Sequence, residues 1–315
     1  MILEDPLVLR TDRADGLTTL TLNRPAQFNS LSKDMLTAVQ AELDDIATSA
    51  TVRVVVMAGA GKAVCAGHDL KEMRANHSKE FMQALFKQCG DLMLAITRLP
   101  QPVIARVHGI ATAAGCQLVS MCDLAVAADV ARFAVSGINV GLFCSTPAVG
   151  LARNLGRKAA LEMLLTGDFI DAMEARAKGL VNRVVPADAL DAEIERLAQS
   201  ILAKSAVAVR MGKGMFYQQL EMGLADAYAY AGEVLLGQDT PISAGNFSLG
   251  VPATLPTGGF AKINGGVTAK TFLTTLSVAR LTADGLASLA PTTLALADHE
   301  GFPAHANALR IRGLG

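Results

Sequence analysis

Residues 103–123 read VIARVHGIATAAGCQLVSMCD, and this stretch decides the fold. It opens with a largely apolar, β-branched run, Val103 to Val107, bounded upstream by the turn Pro100-Gln101-Pro102. Such a run predicts a buried strand. Small residues follow: Gly109, Ala111, Ala113, Ala114 and Gly115. They let a backbone or a ligand approach closely. From about Ala113 the pattern turns helical, and Cys116, Leu118, Val119 and Met121 leave almost no polar face. A helix apolar all round is a buried one. A strand, a tight turn and a buried helix place free N–H groups at the positive end of a helix dipole. An oxygen that gains negative charge is stabilised there. A close-packed corner without a ligand fits the same residues.

Residues 62–73, KAVCAGHDLKEM, repeat the theme after the apolar strand Val54 to Ala58. Ala66 and Gly67 end the run, and a helix-like segment follows. Two such turns can each offer one N–H to a single carbonyl oxygen. With LNRPAQFNSLS (22–32), VHGIATAAGCQLVSMCDLAVAAD (107–129), INVGL (138–142) and LLTGDFIDAMEARAKGLVNRVVP (164–186), the chain resembles the enoyl-CoA hydratase/isomerase, or crotonase, superfamily over about residues 5–235. The resemblance implies an α/β fold, a spiral of ββα turns followed by C-terminal helices. It implies an acyl-CoA or enoyl-CoA substrate, with coenzyme A part of that substrate and no separate cofactor. The oxyanion donors are then the backbone N–H groups of His68 and Ala114. Ala66, Gly67, Asp69, Leu70, Lys71, Gly109 and Gly115 fall at the substrate and CoA side. The family's helices corresponding to 147–165 and 206–235 pack across subunits, which implies a homotrimer or a hexamer.

Two positions depart from the family. Its hydratases hold a water between two glutamates, and the matching residues here are Gln117 and Gly137. A glutamine amide takes no proton at neutral pH, and glycine has no side chain. A general acid or base contributes about 10²- to 10⁴-fold, so the usual two-glutamate hydration is not expected. What remains is a thioester-oxyanion enzyme with another proton carrier, performing hydrolysis, decarboxylation or weak hydration. The alternative is a catalytically silent acyl-CoA-binding protein. His68 could titrate near neutrality, Asp69 suits a helix cap, and Cys144 needs a lowered pKa to act as a nucleophile. Ser136, Asn139 and Ser145 surround the lost carboxylate in sequence. Arg24, Arg98, Arg106 and Arg153 fit either surface ion pairs or phosphate contacts.

Composition narrows the classes. Half of the 315 residues are hydrophobic, at 51%, so a large core is expected. A net charge of −1 argues against a nucleic-acid surface. No apolar run reaches the roughly 20 residues of a membrane span. The N-terminal MILEDPLVLRTDRADG shows neither a signal-peptide nor a transit-peptide pattern, which predicts a cytoplasmic protein. Cys65, Cys89, Cys116, Cys122 and Cys144 lack a C-x-x-C pair, and the five histidines lack H-E-x-x-H spacing. Reduced thiols and no metal site are expected. No P-loop motif is present.

Along the chain, strands are expected at 7–10, 17–22, 52–58, 103–107, 124–127, 132–135 and 180–185. Helices are expected after Ser32, through 81–96, from 113, and at 147–155, 157–165, 171–178, 188–203 and 206–235. Strand–helix alternation predicts a mostly parallel sheet. The layout is a core over 1–200, a helical trimerisation region over 201–236 and an atypical tail over 237–315. That tail is poor in charges, and its 240–259 stretch shows no sustained period. Two readings fit it: an unusual extension, or a segment translated out of frame.

Overall fold

The computed structural model describes residues 5–231, 283–299, 301 and 303–314. The readings of residues 1–4 and 232–282 lie outside the described residues. The chain divides into two units, one reaching to Val234 and one made of most of the tail.

The first unit is built on a six-stranded sheet of order β1-β2-β3-β5-β7-β10. Its strands are β1 (Val8–Asp12), β2 (Leu17–Leu22), β3 (Val54–Gly59), β5 (Val103–Val107), β7 (Leu124–Ala128) and β10 (Arg183–Val185). Only β1 and β2 pair antiparallel; the others are parallel. All six residues of β3 are buried, as a central parallel strand requires. β3 and β5 lie side by side with Val55 opposite Val103 and Met57 opposite Ala105. The last strand is shorter than 180–185 suggested, because Leu180 and Val181 enter the core before pairing begins at Arg183.

A second sheet of four short strands has the order β4-β6-β8-β9. These are β4 (Ala63–Cys65), β6 (Ile110–Thr112), β8 (Arg132–Ala134) and β9 (Ile170–Asp171). Each of β3, β5 and β7 turns directly into β4, β6 and β8. The chain therefore climbs as successive ββα turns, the spiral that the resemblance implies.

Helices cover both faces of the larger sheet. α1 (Lys33–Thr48) starts at Ser32, whose hydroxyl accepts the Met35 N–H. Such a cap contributes about 1 kcal/mol. It buries Met35, Leu36, Val39, Leu43 and Ile46. After the short α2 (Leu70–Ala75), α3 (Lys79–Arg98) buries Leu85, Cys89, Leu92, Met93 and Ile96 on the same side. α4 (Ala114–Met121) buries seven of its eight residues. α5 (Ser145–Asn154), α6 (Arg157–Thr166) and α7 (Ala172–Lys178) follow. α8 (Leu190–Leu202) covers the opposite face, with Leu190, Ile194, Leu197 and Ala198 against Val54, Val56, Ile104 and Val126.

α9 (Ala206–Leu220) is attached differently, since none of its residues is fully buried. A polar network anchors it. Lys213 Nζ lies 2.6 Å from Asp123 Oδ2 and 3.0 Å from the carbonyls of Ile96 and Gln101. Tyr217 donates to Asp123 Oδ1 at 2.8 Å, and Asp123 Oδ2 accepts the Val103 N–H at 2.6 Å. α10 (Leu224–Ala231) completes the described part of this unit.

In the second unit the described residues form two helices, Ala283–His299 and Pro303–Arg310, which contact one another. Ala290, Ala297, Ala306 and Leu309 are buried there, and Arg310 pairs with Asp298 at 2.6 Å. No helix among the described residues is long and apolar enough to cross a membrane.

Candidate active site

The 22–32 segment sets the first turn. Asn29 is fully buried, and its Nδ2 donates to the carbonyls of Ala60 and Ala63, each at 2.8 Å. Its Oδ1 accepts the Arg24 N–H at 2.8 Å. Asn29 thereby fixes both ends of the turn between β3 and β4. Leu31 donates its N–H to Gly67 O at 2.8 Å, and Leu31 O accepts the Asp69 N–H at 3.3 Å. This is a parallel bridge between Leu31 and His68. It uses the groups flanking His68 and leaves the His68 N–H directed away from Leu31.

The second turn enters α4 through Ala113, at φ 51° and ψ −121°. A positive φ in a residue with a Cβ costs on the order of 1–2 kcal/mol. Ala113 is held there by its N–H to Ala134 O at 2.9 Å. Ala114 is the first helical residue, so its N–H has no partner within the helix. The two turns meet at Gly67, where φ is +90°. A Cβ built on Gly67 would lie 2.8 Å from Ala113 Cβ and 3.2 Å from Ala114 N. Covalent geometry then keeps the His68 and Ala114 nitrogens within about 7 Å of each other.

A cavity of about 260 Å³ opens over this junction. Ala66, His68, Ala113, Ala114 and Gly137 line it from the two turns and the segment after β8. Leu70, Met73 and Phe86 reach it from α2 and α3. Val140, Leu142, Phe143 and Cys144 complete it with the start of α5. The loop expected at 136–145 is a 3₁₀ turn, Ser136–Val140, followed by the entry to α5 at Cys144.

The structure separates the remaining sequence candidates. Gln117 is 3% exposed and does not line the cavity; its Oε1 is shut off from solvent with no hydrogen-bond partner among the described residues. Gly137 does line the cavity, but a Cβ there would stand 2.6 Å from Leu142 O and 2.7 Å from Cys144 Sγ. The thiol and the carbonyl occupy the room a side chain needs. Gly109 and Gly115 lie against the Lys62 and Cys65 carbonyls of the β4 region, not at the cavity. Both allow close packing of backbone on backbone.

Asp69 caps α2, accepting the N–H groups of Lys71 and Glu72. Burial pushes its carboxyl up, but those donors and Arg24 outweigh it and hold it below the usual range. Arg24 Nη2 lies 3.3 Å from Asp69 Oδ2, and its Nη1 bonds Ser32 Oγ at 3.1 Å. Arg106 pairs with Asp191 at 2.6 Å and Arg153 with Glu221 at 3.6 Å, so three of the four arginines have acidic partners. Neither Asp69 nor Lys71 lines the cavity, whereas Leu70 between them does.

His68 Nδ1 lies 3.3 Å from Leu31 O. A carbonyl only accepts, so Nδ1 carries the proton in this contact. Nε2 is shut off from solvent without a partner among the described residues. Burial lowers the imidazole pKa, partly opposed by the Leu31 carbonyl. A proton on Nε2 would be buried with no acceptor, which keeps the ring neutral. The ring packs edge-on against Phe86 at 5.4 Å. With this nitrogen covered, the side chain is a poor proton shuttle. Burial also pushes the Cys144 thiol up, partly offset by the Gly137 N–H. Its Sγ lies 3.5 Å from Val135 O. Among the described residues no group of three or more His, Cys, Asp or Glu side chains is placed to hold a metal. Phe86, Met73 and the apolar residues 140–143 were not marked as site residues by sequence. Phe86 follows Leu85 on α3 and stands off that helix's buried stripe.

The family model described as enoyl-CoA hydratase/isomerase matches residues 12–240. A second family model, histidinol dehydrogenase, matches residues 215–313, 99 of the 315 residues. The enoyl-CoA hydratase domain-containing protein 3, mitochondrial, of Xenopus laevis is 45% identical over 221 residues, covering 70% of this chain and 75% of that protein. The crystal structure of a Mycobacterium smegmatis enoyl-CoA hydratase is 61% identical with a TM-score of 0.71, covering 71% of this chain and 88% of that one. That of human enoyl-CoA hydratase domain-containing protein 3 is 43% identical with a TM-score of 0.68, covering 70% and 87%.

These relatives correct the cytoplasmic expectation. The Xenopus, rat, mouse and human proteins all carry mitochondrial names. That expectation rested on the lack of a targeting pattern in residues 1–16, and the names of these relatives point the other way. The spiral of ββα turns, the paired turns at Gly67 and Ala113 and a family match spanning most of the first unit agree. The chain belongs to the enoyl-CoA hydratase/isomerase family of the crotonase superfamily.

Proposed function

We propose that the chain binds an acyl-CoA thioester and directs its carbonyl oxygen to the backbone N–H groups of His68 and Ala114. The observation that supports this reading is that His68 and Ala114 both line one apolar cavity and that neither N–H has a backbone partner among the described residues. Two donors sharing an oxygen at about 3 Å each stand at most about 6 Å apart, consistent with the bound set by Gly67. Charge on that oxygen develops in enolate-forming and acyl-transfer steps alike, so the site serves several reactions.

Two-carboxylate hydration is the least suited of these. Among the described residues that line the cavity there is no Asp or Glu. Hydrolysis, decarboxylation or slow hydration fits better, with the oxyanion donors supplying most of the rate. The absence of a carboxylate equally favours a second reading, an acyl-CoA-binding protein with no useful turnover. Purified protein assayed with crotonyl-, malonyl- and acetyl-CoA, beside calorimetric binding of the same thioesters, separates them. Turnover supports the enzyme, binding without turnover supports the second reading, and neither binding nor turnover overturns both.

Two further elements belong to this proposal. Val207, Met211, Phe216 and Leu220 on α9 are each more than half exposed, which supports packing against other copies in a trimer or hexamer. A monomer in sedimentation at micromolar concentration would refute it. The histidinol dehydrogenase match supports reading the tail after residue 237 as an in-frame segment. Coenzyme A enters as part of the substrate, and no separate cofactor is invoked.

A further inference from the structure

We infer that the Cys144 thiol is the proton carrier of this cavity, taking a proton from, and returning one to, the α-carbon of an acyl thioester whose oxygen is held by the His68 and Ala114 N–H groups. This rests on the acyl-CoA reading above and names both a catalytic residue and a class of reaction, enolate formation. The first observation is one of elimination. Among the described residues that line the cavity, the side chains with a proton to give are those of His68, Ser136, Cys144, Ser145 and Thr146. His68 spends its Nδ1 proton on Leu31 O, and its Nε2 is shut off from solvent without a partner. Hydroxyls hold their protons far more tightly than a thiol, and Ser136 Oγ is already bonded to Thr112 Oγ1 at 2.9 Å. That leaves Cys144.

The second observation is the setting of the sulfur. Cys144 lines the same cavity as His68 and Ala114. It is the residue before α5, and its side chain makes no capping bond to that helix. A Cβ at Gly137 would stand 2.7 Å from Sγ, so the thiol meets bare backbone on that wall of the cavity. The Gly137 N–H donates to the sulfur. That donor and the positive end of α5 stabilise the thiolate that proton transfer leaves. Burial acts against them and outweighs the Gly137 N–H, which keeps the thiol protonated at neutral pH. The titratable groups around it are His68, kept neutral by burial, and Cys116 of α4, whose buried thiol is pushed up to about 12. As a thiolate, Cys144 takes the proton from the α-carbon. An S–H bond forms, and the electron pair of the broken C–H bond moves to the thioester oxygen as an enolate. The reverse step returns a proton to the α-carbon, and no oxidant or second substrate is consumed. The same return step completes a decarboxylation, in which loss of CO2 supplies the enolate.

The test is deuterium uptake at the α-carbon of butyryl-CoA in heavy water, by mass spectrometry, with calorimetric affinity for butyryl-CoA measured beside it on the full-length protein. The parent should exchange, and its rate should rise with pH to a plateau above the usual thiol value of about 8.5. Cys144→Ser keeps the shape and loses the acidity, and should lower the rate at least about 10²-fold while butyryl-CoA stays bound. Cys144→Ala should do the same. Exchange at the parent rate in both variants overturns the inference. So does a parent that binds butyryl-CoA without exchange, which leaves the acyl-CoA reading in place. A rate that levels off below pH 7 overturns it as well, because the proton would then belong to an imidazole. A loss of exchange that only follows a loss of affinity in both variants also overturns it. Failure of the parent to bind butyryl-CoA removes the acyl-CoA reading itself.

Discussion

Replacing Gln117 by glutamate changes one atom's identity and little volume, yet the structure assigns it a large, pH-dependent effect. The side chain is 3% exposed, and its Oε1 meets no donor among the described residues. An ionised carboxylate there loses its water and gains only the N-terminal end of α4, a favourable interaction of about 0.3–1 kcal/mol, up to about 2. Burial without donors raises a carboxyl pKa by up to about 3–5 units. A net rise of about two to three units from the unperturbed value near 4.3 costs about 3–4 kcal/mol once the group must ionise. The folded variant then holds its proton more tightly than the unfolded chain. Stability relative to the parent is unchanged below about pH 4, falls through the window up to the raised pKa, and is level above it. Urea midpoints of both proteins from pH 4 to 8 measure this; circular dichroism suits the chain, which has no tryptophan. Hydration of crotonyl-CoA should stay at background, because the new carboxyl neither lines the cavity nor ionises readily. A stability difference that does not change with pH, or that shrinks as pH rises, would show that residue 117 has donors or solvent and would sink the argument.

Gly137→Ala should lower stability by about 1–3 kcal/mol, because its Cβ meets Leu142 O and Cys144 Sγ at 2.6 and 2.7 Å; an unchanged urea midpoint would contradict that crowding. Ala113→Gly should be neutral or stabilising by up to about 1 kcal/mol, as relief of the positive φ exceeds the extra chain entropy of glycine; a drop in midpoint would show that Ala113 is unstrained. Lys213→Met should destabilise by about 1.5–3 kcal/mol, since it removes a charged donor from the half-buried Asp123 and leaves it only Tyr217 and the Val103 N–H; a loss below 1 kcal/mol would mean the network does not hold α9. For Glu193, hydrogen bonding from Arg196 comes first, then burial in opposition, then Arg183, and the folded pKa falls to about 2. The folded state therefore binds fewer protons than the unfolded chain below about pH 4.5. The contribution lost in Glu193→Gln should be present above that pH and vanish as pH falls towards 2, read as converging acid-unfolding curves; a gap that persists at pH 2 would contradict it.

The central strands were legible because burial on both faces writes itself as largely apolar runs, as in β3 and in β5, where only Arg106 interrupts. The stripes of α1 and α3 were equally plain at helical spacing. β4 and β6 were not, because three residues carry no measurable period. The site was legible where it depends on backbone: the turns at Gly67 and Ala114 follow from small residues between a strand and a helix. It was not legible where it depends on side-chain direction. Sequence aligns Gln117 with a reacting residue, but only packing shows that it does not line the cavity. Phe86 lies one residue off an apolar stripe and would pass for a surface residue. The helix Ala283–His299 contains Pro291, a residue that argues against helix in any window-based reading.

The contact between Gly137, Leu142 and Cys144 also constrains the order in which this protein can change. Installing a side chain at 137 first forces it against a sulfur and a backbone carbonyl. Shrinking Cys144 first vacates one of the two obstructions, and the 140–143 segment must still shift to clear the other. The sign of a substitution at 137 therefore depends on what stands at 144, so mutational paths between this cavity and one bearing a carboxylate are unequal. Selection acting one substitution at a time would cross by way of the thiol, and libraries that vary position 137 alone would sample only the closed side.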